Sequence, residues 1–193
     1  MKNLPTRDRL LTEGLRLIHE QGFGNTTIFH IVKAAGVSAD AFDEHFACKE
    51  DFALQVLDVY FANGRATVDA TLRNDDLPPL DRLRQYLALN LAHLDRDGMR
   101  NGCLYGNFAA EGSDYSDLIR HRITEIFEYV AQSISYCLRA AAQTGKLRPR
   151  LEYDEVANFA VASLQGAILL AKAQRSPVPV LQFERSLFSL ILA

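Results

Sequence analysis

Apolar residues recur at helical spacing along almost every long segment of this chain of 193 residues. The first such segment carries Leu10, Leu11, Leu15 and Ile18 on one face and is followed by Gly22, a residue type that commonly ends helices. No segment alternates apolar and polar residues over the length of a strand. The pattern therefore predicts an all-α fold of nine helices.

Breaks in this pattern predict how the helices are grouped. The first four helices are expected over residues 6–20, 28–36, 38–46 and 51–72, the fourth with a bend at Asn63 and Gly64. The clearest break is the segment 74–79, where two Asp, a Leu and two Pro follow an Asn, because Pro cannot continue a helix. We predict two domains, residues 1–50 and 51–193.

Two of the short helices are joined by Gly36, Val37 and Ser38, which is the layout of a helix-turn-helix. Gly36 permits the sharp turn, and the Ser38 hydroxyl can accept a backbone N–H of the next helix. This turn lies within a longer pattern. The pattern comprises Gly22, Phe23, Thr26, Thr27, Ile28, Ile31, Ala34, Ala35, Gly36, Val37, Ser38, Phe42, His45, Phe46, Lys49 and Glu50. With these residues, segment 6–55 resembles the DNA-binding segment of the TetR family of transcriptional regulators.

The resemblance implies a fold and a function. It implies a helical homodimer with an N-terminal three-helix DNA-binding domain and a C-terminal ligand-binding and dimerisation domain, usually acting as a repressor on a palindromic operator. A dimer can place two recognition helices ~34–36 Å apart in successive major grooves. The expected partners are thus double-stranded operator DNA, a small-molecule effector or electrophile, and a second copy of the chain. No cofactor, metal or enzymatic activity is expected.

Several residues near this motif are candidates for contacting DNA. Thr27, at a helix N-terminus, and Lys49 can bind phosphates, although Thr27 could serve only as a cap and Lys49 could be a solvated charge. Lys2, Arg7 and Arg9 would add a basic arm. The remaining candidates lie on or beside the recognition helix: Ser38, Ala39, Asp40, Asp43, Glu44 and His45.

The recognition helix is acidic, in a chain whose net charge is −3. Family members commonly carry Lys-Gly after the capping Ser and an aromatic pair before His-Phe, whereas this chain has Ala39-Asp40 and Asp43-Glu44. Carboxylates facing phosphates weaken DNA binding, but Asp and Glu can accept a hydrogen bond from cytosine N4. The alternative function is a helical small-molecule binding protein with a degenerate helix-turn-helix that does not bind DNA.

The three cysteines, Cys48, Cys103 and Cys137, have neither a CxxC pattern nor Cys/His spacing. Their number and spacing indicate reduced thiols rather than disulfides or a zinc site. We expect Cys137 to be a buried core residue and Cys48 to be a weak N-cap of the fourth helix. Cys103 is expected in the first turn of a helix, where the helix dipole favours a thiolate.

The sequence around Cys103 is similar to that of the TetR subgroup that includes the repressor of N-ethylmaleimide reductase. The similar segments are 101–111 and 164–172. In that resemblance Cys103 matches a sensing cysteine and Lys172 its lysine partner, so that electrophiles or oxidants would react there first. The alternatives are an inert packing cysteine and a pocket that binds its ligand non-covalently.

Polar residues on otherwise apolar helices are the candidate lining of an effector cavity. They are Tyr86, Asn90 and His93 on the fifth helix, Tyr105, Asn107 and Glu111 on the sixth, and Gln165 on the eighth. Asn90 shares the apolar stripe of Leu83, Leu87 and Leu94. A hydrogen-bonded core Asn and a structural His93 are the alternatives.

The last two helices are the candidate dimer interface. The eighth carries Ala160, Ser163, Ala167 and Ala171 along one side, which permits close approach of another helix. The ninth is expected from Val180 to Leu192, after a break at 176–179 that contains two Pro. Its apolar residues Leu187, Phe188 and Ile191 would complete the interface, although both sets could equally pack within one chain.

The start of the chain lacks the apolar core of a signal peptide, and no apolar run approaches the ~18–20 residues of a membrane span. We therefore expect a cytoplasmic protein that does not enter a membrane.

Overall fold

The computed structural model describes residues 4–145, 147 and 151–192, so Lys2 of the expected basic arm lies outside the described residues. Within these ranges the chain forms nine α-helices and no strand, which confirms the predicted fold class. The helices are α1 (Thr6–Gln21), α2 (Ile28–Ala35), α3 (Ala39–Asp43), α4 (Lys49–Ala70), α5 (Pro79–Asp95), α6 (Leu104–Glu111), α7 (Asp117–Gln143), α8 (Tyr153–Gln174) and α9 (Val178–Ser186). A short π-helical segment, Leu187–Ile191, follows α9.

Local capping interactions define α2 and α3. The Thr27 hydroxyl accepts a hydrogen bond from His30 N at 3.2 Å, and Thr27 N donates to His30 Nδ1 at 3.4 Å, which forms a reciprocal capping box. Gly36 ends α2 in the left-handed conformation at φ 63°. The Ser38 hydroxyl accepts from Ala41 N at 3.3 Å and caps α3 as predicted.

The structure differs from the sequence prediction most clearly in α3, α4 and α9. α3 stops at Asp43 instead of Phe46, because a tight turn there brings Phe46 into the core against Phe42, with ring centroids 5.1 Å apart. α4 starts at Lys49 and continues through the expected bend. α9 starts at Val178 because Pro179 lies in its first turn, where no backbone N–H is needed.

The chain divides into two compact units that are discontinuous in sequence. The first contains residues 1–63 and 104–124, and the second contains residues 64–103 and 125–193. The predicted domain boundary after residue 50 remains a prediction, because the two units are defined by their internal contacts and not by their functions.

Each unit has its own apolar core. In the first unit the Phe52 ring packs against Phe42 and Phe46, with centroid separations of 5.3 and 4.8 Å. In the second unit α5, α7 and α8 bury a larger cluster. Its members include Leu83, Leu87, Leu94, Ile134, Leu138, Leu164 and Ile168. Cys137 belongs to this cluster, is fully buried and donates its thiol proton to Pro79 O at 2.9 Å, as expected for a core cysteine.

The small-residue side of α8 is not a free surface. Ala160, Ala167 and Ala171 are buried within the chain, as is Leu187, so this predicted dimer face is intramolecular packing. The side chain of Ile191 lies outside the described residues. A different side of α8 exposes large apolar residues. They are Phe159, Leu169 and Leu170, and Val178 and Leu181 of α9 are exposed as well.

Among the described residues, α8 is also the one helix that is long and apolar enough to cross a membrane, with a mean hydropathy of 1.4 over 18 residues. The sequence expectation concerned an unbroken apolar run, whereas this criterion averages hydropathy over a window. Small and uncharged residues such as Ala, Gly and Ser lengthen the apolar window without forming an unbroken run. Helices that pack in soluble proteins meet the same criterion.

Candidate DNA-binding surface and effector site

The candidate DNA-binding surface consists of the exposed side of α2, α3 and the residues that follow α3. The side chains of Ala39, Asp40, Asp43, Glu44 and His45 are all exposed to solvent. The acidic character expected from the sequence is therefore present on the surface itself. The carboxylates of Asp40, Asp43 and Glu44 form no ion pair with other described residues, so no neighbouring cation neutralises their charge.

Thr27 and Lys49 lie beside this surface in different situations. The Thr27 hydroxyl accepts the capping hydrogen bond from His30 N, and its own proton can still be donated to a phosphate. Lys49 is half-buried and is not the solvated charge of the alternative interpretation. Its Nζ donates to Phe23 O at 2.8 Å and lies 4.3 Å from the centre of the Phe23 ring. Desolvation by burial lowers the pKa of Lys49, partly offset by the charge of Glu111.

Arg7 and Arg9, the described residues of the expected basic arm, lie in the first unit and interact within it. The Arg7 guanidinium donates to Gln55 Oε1 at 2.5 Å, and Arg9 is partly buried. Phe29 is a surface residue that the sequence reasoning missed, with 66% of its side chain exposed on α2. The sequence could have indicated this exposure, because helical spacing places Phe29 outside the face of α2 that carries the buried residues Ile31 and Val32.

The candidate effector site lies in the second unit, around Cys103. The Gln165 Nε2 atom donates a weak hydrogen bond to Cys103 Sγ at 3.6 Å. Tyr86 is buried close by, where desolvation and the neighbouring Cys103 thiol raise the pKa of its phenol. Cys103 precedes the first residue of α6, so it occupies a capping position instead of the expected first turn. The site thus joins a partly exposed thiol, an amide donor and a phenol.

Gly102 brings Lys172 next to this site. Gly102 has φ +70°, a conformation that favours glycine, and a Cβ added there would lie 3.2 Å from Lys172 Cδ and 3.7 Å from Ile168 Cγ2. The aliphatic part of Lys172 therefore packs against the residue directly before Cys103. A pairing of the Lys172 ammonium with the Cys103 thiol, which the family resemblance implies, stays a prediction.

The segment that carries Cys103 is held by two charged residues that the sequence reasoning did not single out. The Asp97 carboxylate accepts from the backbone N–H groups of Arg100 and Asn101 at 3.0 and 2.9 Å. The Arg175 guanidinium donates to the carbonyl oxygens of Met99 and Arg100, both at 3.1 Å. The Arg175 contacts join residues 76 and 75 positions apart, which no local pattern indicates, whereas Asp97 binds backbone groups only three and four residues on.

The other expected cavity residues are in different situations. The Asn90 amide donates to Tyr86 O at 2.8 Å, and the Asn90 side chain also forms a hydrogen bond with the Tyr86 side chain, so partly buried Asn90 borders the site, while His93 is exposed. Tyr105, Asn107 and Glu111 belong to the first unit. The Glu111 carboxylate accepts from Gly24 N at 3.1 Å, so it binds the loop after α1 instead of lining an effector cavity. Glu111 and Gly24 are 87 positions apart in sequence, so the residues near Glu111 do not reveal this contact.

A groove of about 710 Å³ opens at another place in the second unit. It is lined by Arg84, Val178, Leu181, Glu184, Arg185, Phe188 and Ser189. The Arg84 guanidinium lies 3.8 Å from the centre of the Phe188 ring. Phe188, expected at the dimer interface, therefore packs under Arg84 in this groove.

Two family models match the chain. The model described as bacterial regulatory proteins of the tetR family matches residues 10–56, which include the helix-turn-helix. The model described as the tetracyclin repressor-like C-terminal domain matches residues 79–187, more than half of the chain. The chain belongs to the TetR family of transcriptional regulators.

This TetR-family chain is similar to characterised regulators over its whole length. It is 35% identical over 192 residues to the HTH-type transcriptional repressor DhaR of Mycobacterium sp. strain GP1, covering 100% of this chain and 95% of the relative. A crystal structure of reduced NemR from E. coli matches with a TM-score of 0.88 at 26% identity, covering 97% of each chain. The regulatory protein TetR from Rhodobacter sphaeroides matches with a TM-score of 0.89 at 28% identity, covering 94% of this chain and 96% of the other.

These matches confirm the family resemblance and the expectation of a DNA-binding regulator rather than an enzyme. Regulators of the TetR family bind operators as dimers and respond to small-molecule effectors. The relatives are bacterial transcriptional regulators, several of them repressors by name.

Proposed function

We propose that this regulator is a repressor that binds a palindromic operator as a homodimer and leaves it when an electrophile modifies Cys103 or an effector binds beside it. The observation that carries the proposal is the pairing of Cys103 with Gln165 at 3.6 Å in the same unit as Tyr86 and Lys172. The similarity to E. coli NemR and to the repressor DhaR supports it. We expect such a repressor to act in the cytoplasm.

The proposed DNA contacts combine phosphate and base recognition. Thr27 and Lys49 would bind phosphates beside the N-terminus of α2, where backbone N–H groups favour anions. The exposed residues from Ser38 to His45 would enter the major groove, where the carboxylates of Asp40 and Glu44 would favour cytosine N4 donors, while Asp43 would face a phosphate. We therefore expect a G·C-rich operator.

The proposed dimer interface lies on the exposed apolar side of α8 and α9. Phe159, Leu169, Leu170, Val178 and Leu181 are all more than a third exposed in the single chain. Contiguous apolar surface of this kind is typical of a protein interface, and a two-fold axis would pair the same residues of both copies. A dimer formed through these helices would provide two recognition helices, one from each copy, for the two halves of a palindromic operator.

The proposed chemistry at Cys103 needs no oxidant. With an activated alkene such as N-ethylmaleimide, the sulfur forms a bond to one alkene carbon and the thiol proton ends on the neighbouring carbon. The adduct adds volume where Gln165 and Tyr86 now pack. To move a dimer from 1% to 99% in the released state, the modification must favour that state by ~5.5 kcal/mol.

The test is a DNA-shift assay on the sequence that flanks the coding region of this regulator, with and without N-ethylmaleimide. The wild-type protein should bind in a salt-dependent manner and be released by the reagent. Cys103→Ser should bind and resist release, while Cys48→Ser, which removes the exposed thiol of the DNA-binding unit, should behave as the wild type. Release of Cys103→Ser by the reagent would rule out the sensor. Failure of the wild type to bind any duplex of a random library at low salt would favour a small-molecule binding protein.

A further inference from the structure

The loop between α1 and α2 is held by a carboxylate from the end of α6. Glu111 is the last residue of α6, and its Oε2 accepts a hydrogen bond from Gly24 N at 3.1 Å. The carboxylate also covers Gly22, where an added Cβ would lie 2.7 Å from Oε2 and 2.8 Å from Oε1. Gly22 has φ +88°, so a side chain there would be strained as well as crowded. The carboxylate and the two glycines form one close contact.

Phe23, between these glycines, is held from two further sides. Its ring is buried and packs against Phe108 and Tyr115, with centroid separations of 5.3 and 5.2 Å. The Lys49 ammonium covers the ring and binds the Phe23 carbonyl oxygen. The opposite charges of Lys49 and Glu111 interact across the loop. The loop 22–24 is thus fixed by residues of α6, by Tyr115 and by the first residue of α4.

This loop directly determines where α2 begins. Thr26 N donates to Phe23 O at 3.3 Å, and the Thr26 hydroxyl donates to Gly22 O at 2.8 Å. The next residue is the capping residue Thr27. A displacement of residues 22–24 would therefore shift the α2 N-terminus and, through the turn at Gly36, the recognition helix.

Glu111 itself is exposed, and it adds no apolar area to the core. A hydrogen bond at such a position contributes little to global stability. Its removal should therefore leave the fold intact while it frees the loop.

We propose that Glu111 is a positioning residue for operator binding, which holds the loop 22–24 so that α2 and α3 are presented to DNA. The proposal rests on DNA binding by this TetR-family chain and is independent of any response at Cys103. A sensor that fails in the Cys103 experiment would leave it unaffected.

The test compares Glu111→Ala with Glu111→Gln, because glutamine retains an oxygen that can accept from Gly24 N. The probe is a duplex selected by the wild-type protein from a random library, and affinity is measured by fluorescence anisotropy. We expect Glu111→Ala to bind roughly tenfold more weakly and Glu111→Gln to stay within about threefold of wild type. Glu155→Ala removes one exposed carboxylate from α8 and should bind as wild type.

Two further measurements separate positioning from general destabilisation. Amide hydrogen exchange at Gly24, measured by NMR on the full-length protein, should be faster in Glu111→Ala and unchanged in Glu111→Gln. The thermal unfolding midpoints of all variants should agree. Wild-type affinity in Glu111→Ala, a loss of affinity that follows a loss of thermal stability, or a wild-type protein that selects no duplex would each overturn the proposal.

Discussion

The side-chain amide of Gln165, on α8, lies within 3.6 Å of the sulfur of Cys103 and is directed as a donor toward it. An N–H donor beside a sulfur stabilises the thiolate, which is the reactive form of cysteine. The same amide also occupies space that an adduct on the sulfur would need. Gln165 therefore connects the reactivity of the thiol to the packing of α8.

Replacing Gln165 by Leu should slow the reaction of Cys103 with N-ethylmaleimide by a factor of a few at neutral pH, because the thiolate loses its donor. The rate is measured by mass spectrometry in a Cys48→Ser background, so that the exposed thiol does not contribute. Gln174→Leu, at the exposed end of the same helix, is the matched control and should react as the parent. An unchanged or faster rate in Gln165→Leu would mean that the amide only blocks access.

The buried thiol of Cys137 should make stability depend on alkaline pH. Burial raises the pKa of Cys137 from 9.0 to about 11, so the unfolded chain loses this proton at a lower pH than the folded chain. Stability should then fall as pH rises from 9 to 11. Cys137→Ala should cost about 1–2 kcal/mol at pH 7 because a buried atom is lost, and this deficit should shrink above pH 9. Urea unfolding at several pH values measures both, and a deficit that is constant with pH would contradict the assignment.

Neutralising one carboxylate of the recognition surface should strengthen DNA binding. Asp43→Asn removes a negative charge that, in the proposed complex, faces a phosphate, and the gain in affinity should shrink at higher salt, which screens the repulsion. Asp76→Asn, at an exposed position of the second unit, should change affinity little. Anisotropy titrations at two salt concentrations provide the measurement. Weaker binding by Asp43→Asn on its selected operator would indicate instead that this carboxylate contacts a base.

A charge placed on the exposed apolar side of α8 should separate the proposed dimer. Leu169 is 66% exposed in the single chain, and Leu169→Glu would bury an unpaired carboxylate at the interface. We expect a monomer by sedimentation velocity at micromolar concentration, together with the loss of operator binding. Leu118→Glu alters a leucine of α7 that is 57% exposed and should remain dimeric. A dimeric Leu169→Glu would exclude this side of α8 from the interface.

The sequence predicted most reliably what depends on neighbouring residues. The caps at Thr27 and Ser38 and the left-handed Gly36 each follow from a few consecutive residues, and the structure has them as expected. The start of α9 was misplaced because Pro was interpreted as a break, although Pro is also well suited to a first helical turn.

The errors in the candidate sites concern residues that are distant in sequence. Both the alanine side of α8 and the side with Phe159 and Leu169 are apolar, so the pattern alone could not indicate which one packs inside the chain. Glu111 could be assigned to a cavity because nothing near it in sequence reveals Gly24 as its partner. The contact of the Lys172 stem with Gly102, next to Cys103, could be anticipated only through the family resemblance.

The contact between Glu111 and Gly24 has a reciprocal consequence. In the proposed positioning role of Glu111, thermodynamic linkage requires that the factor by which this contact strengthens operator binding equals the factor by which bound operator stabilises the contact. Operator DNA is then itself an effector of the loop between α1 and α2. The protein on its operator should therefore resist the opening of this loop more strongly than the free protein does.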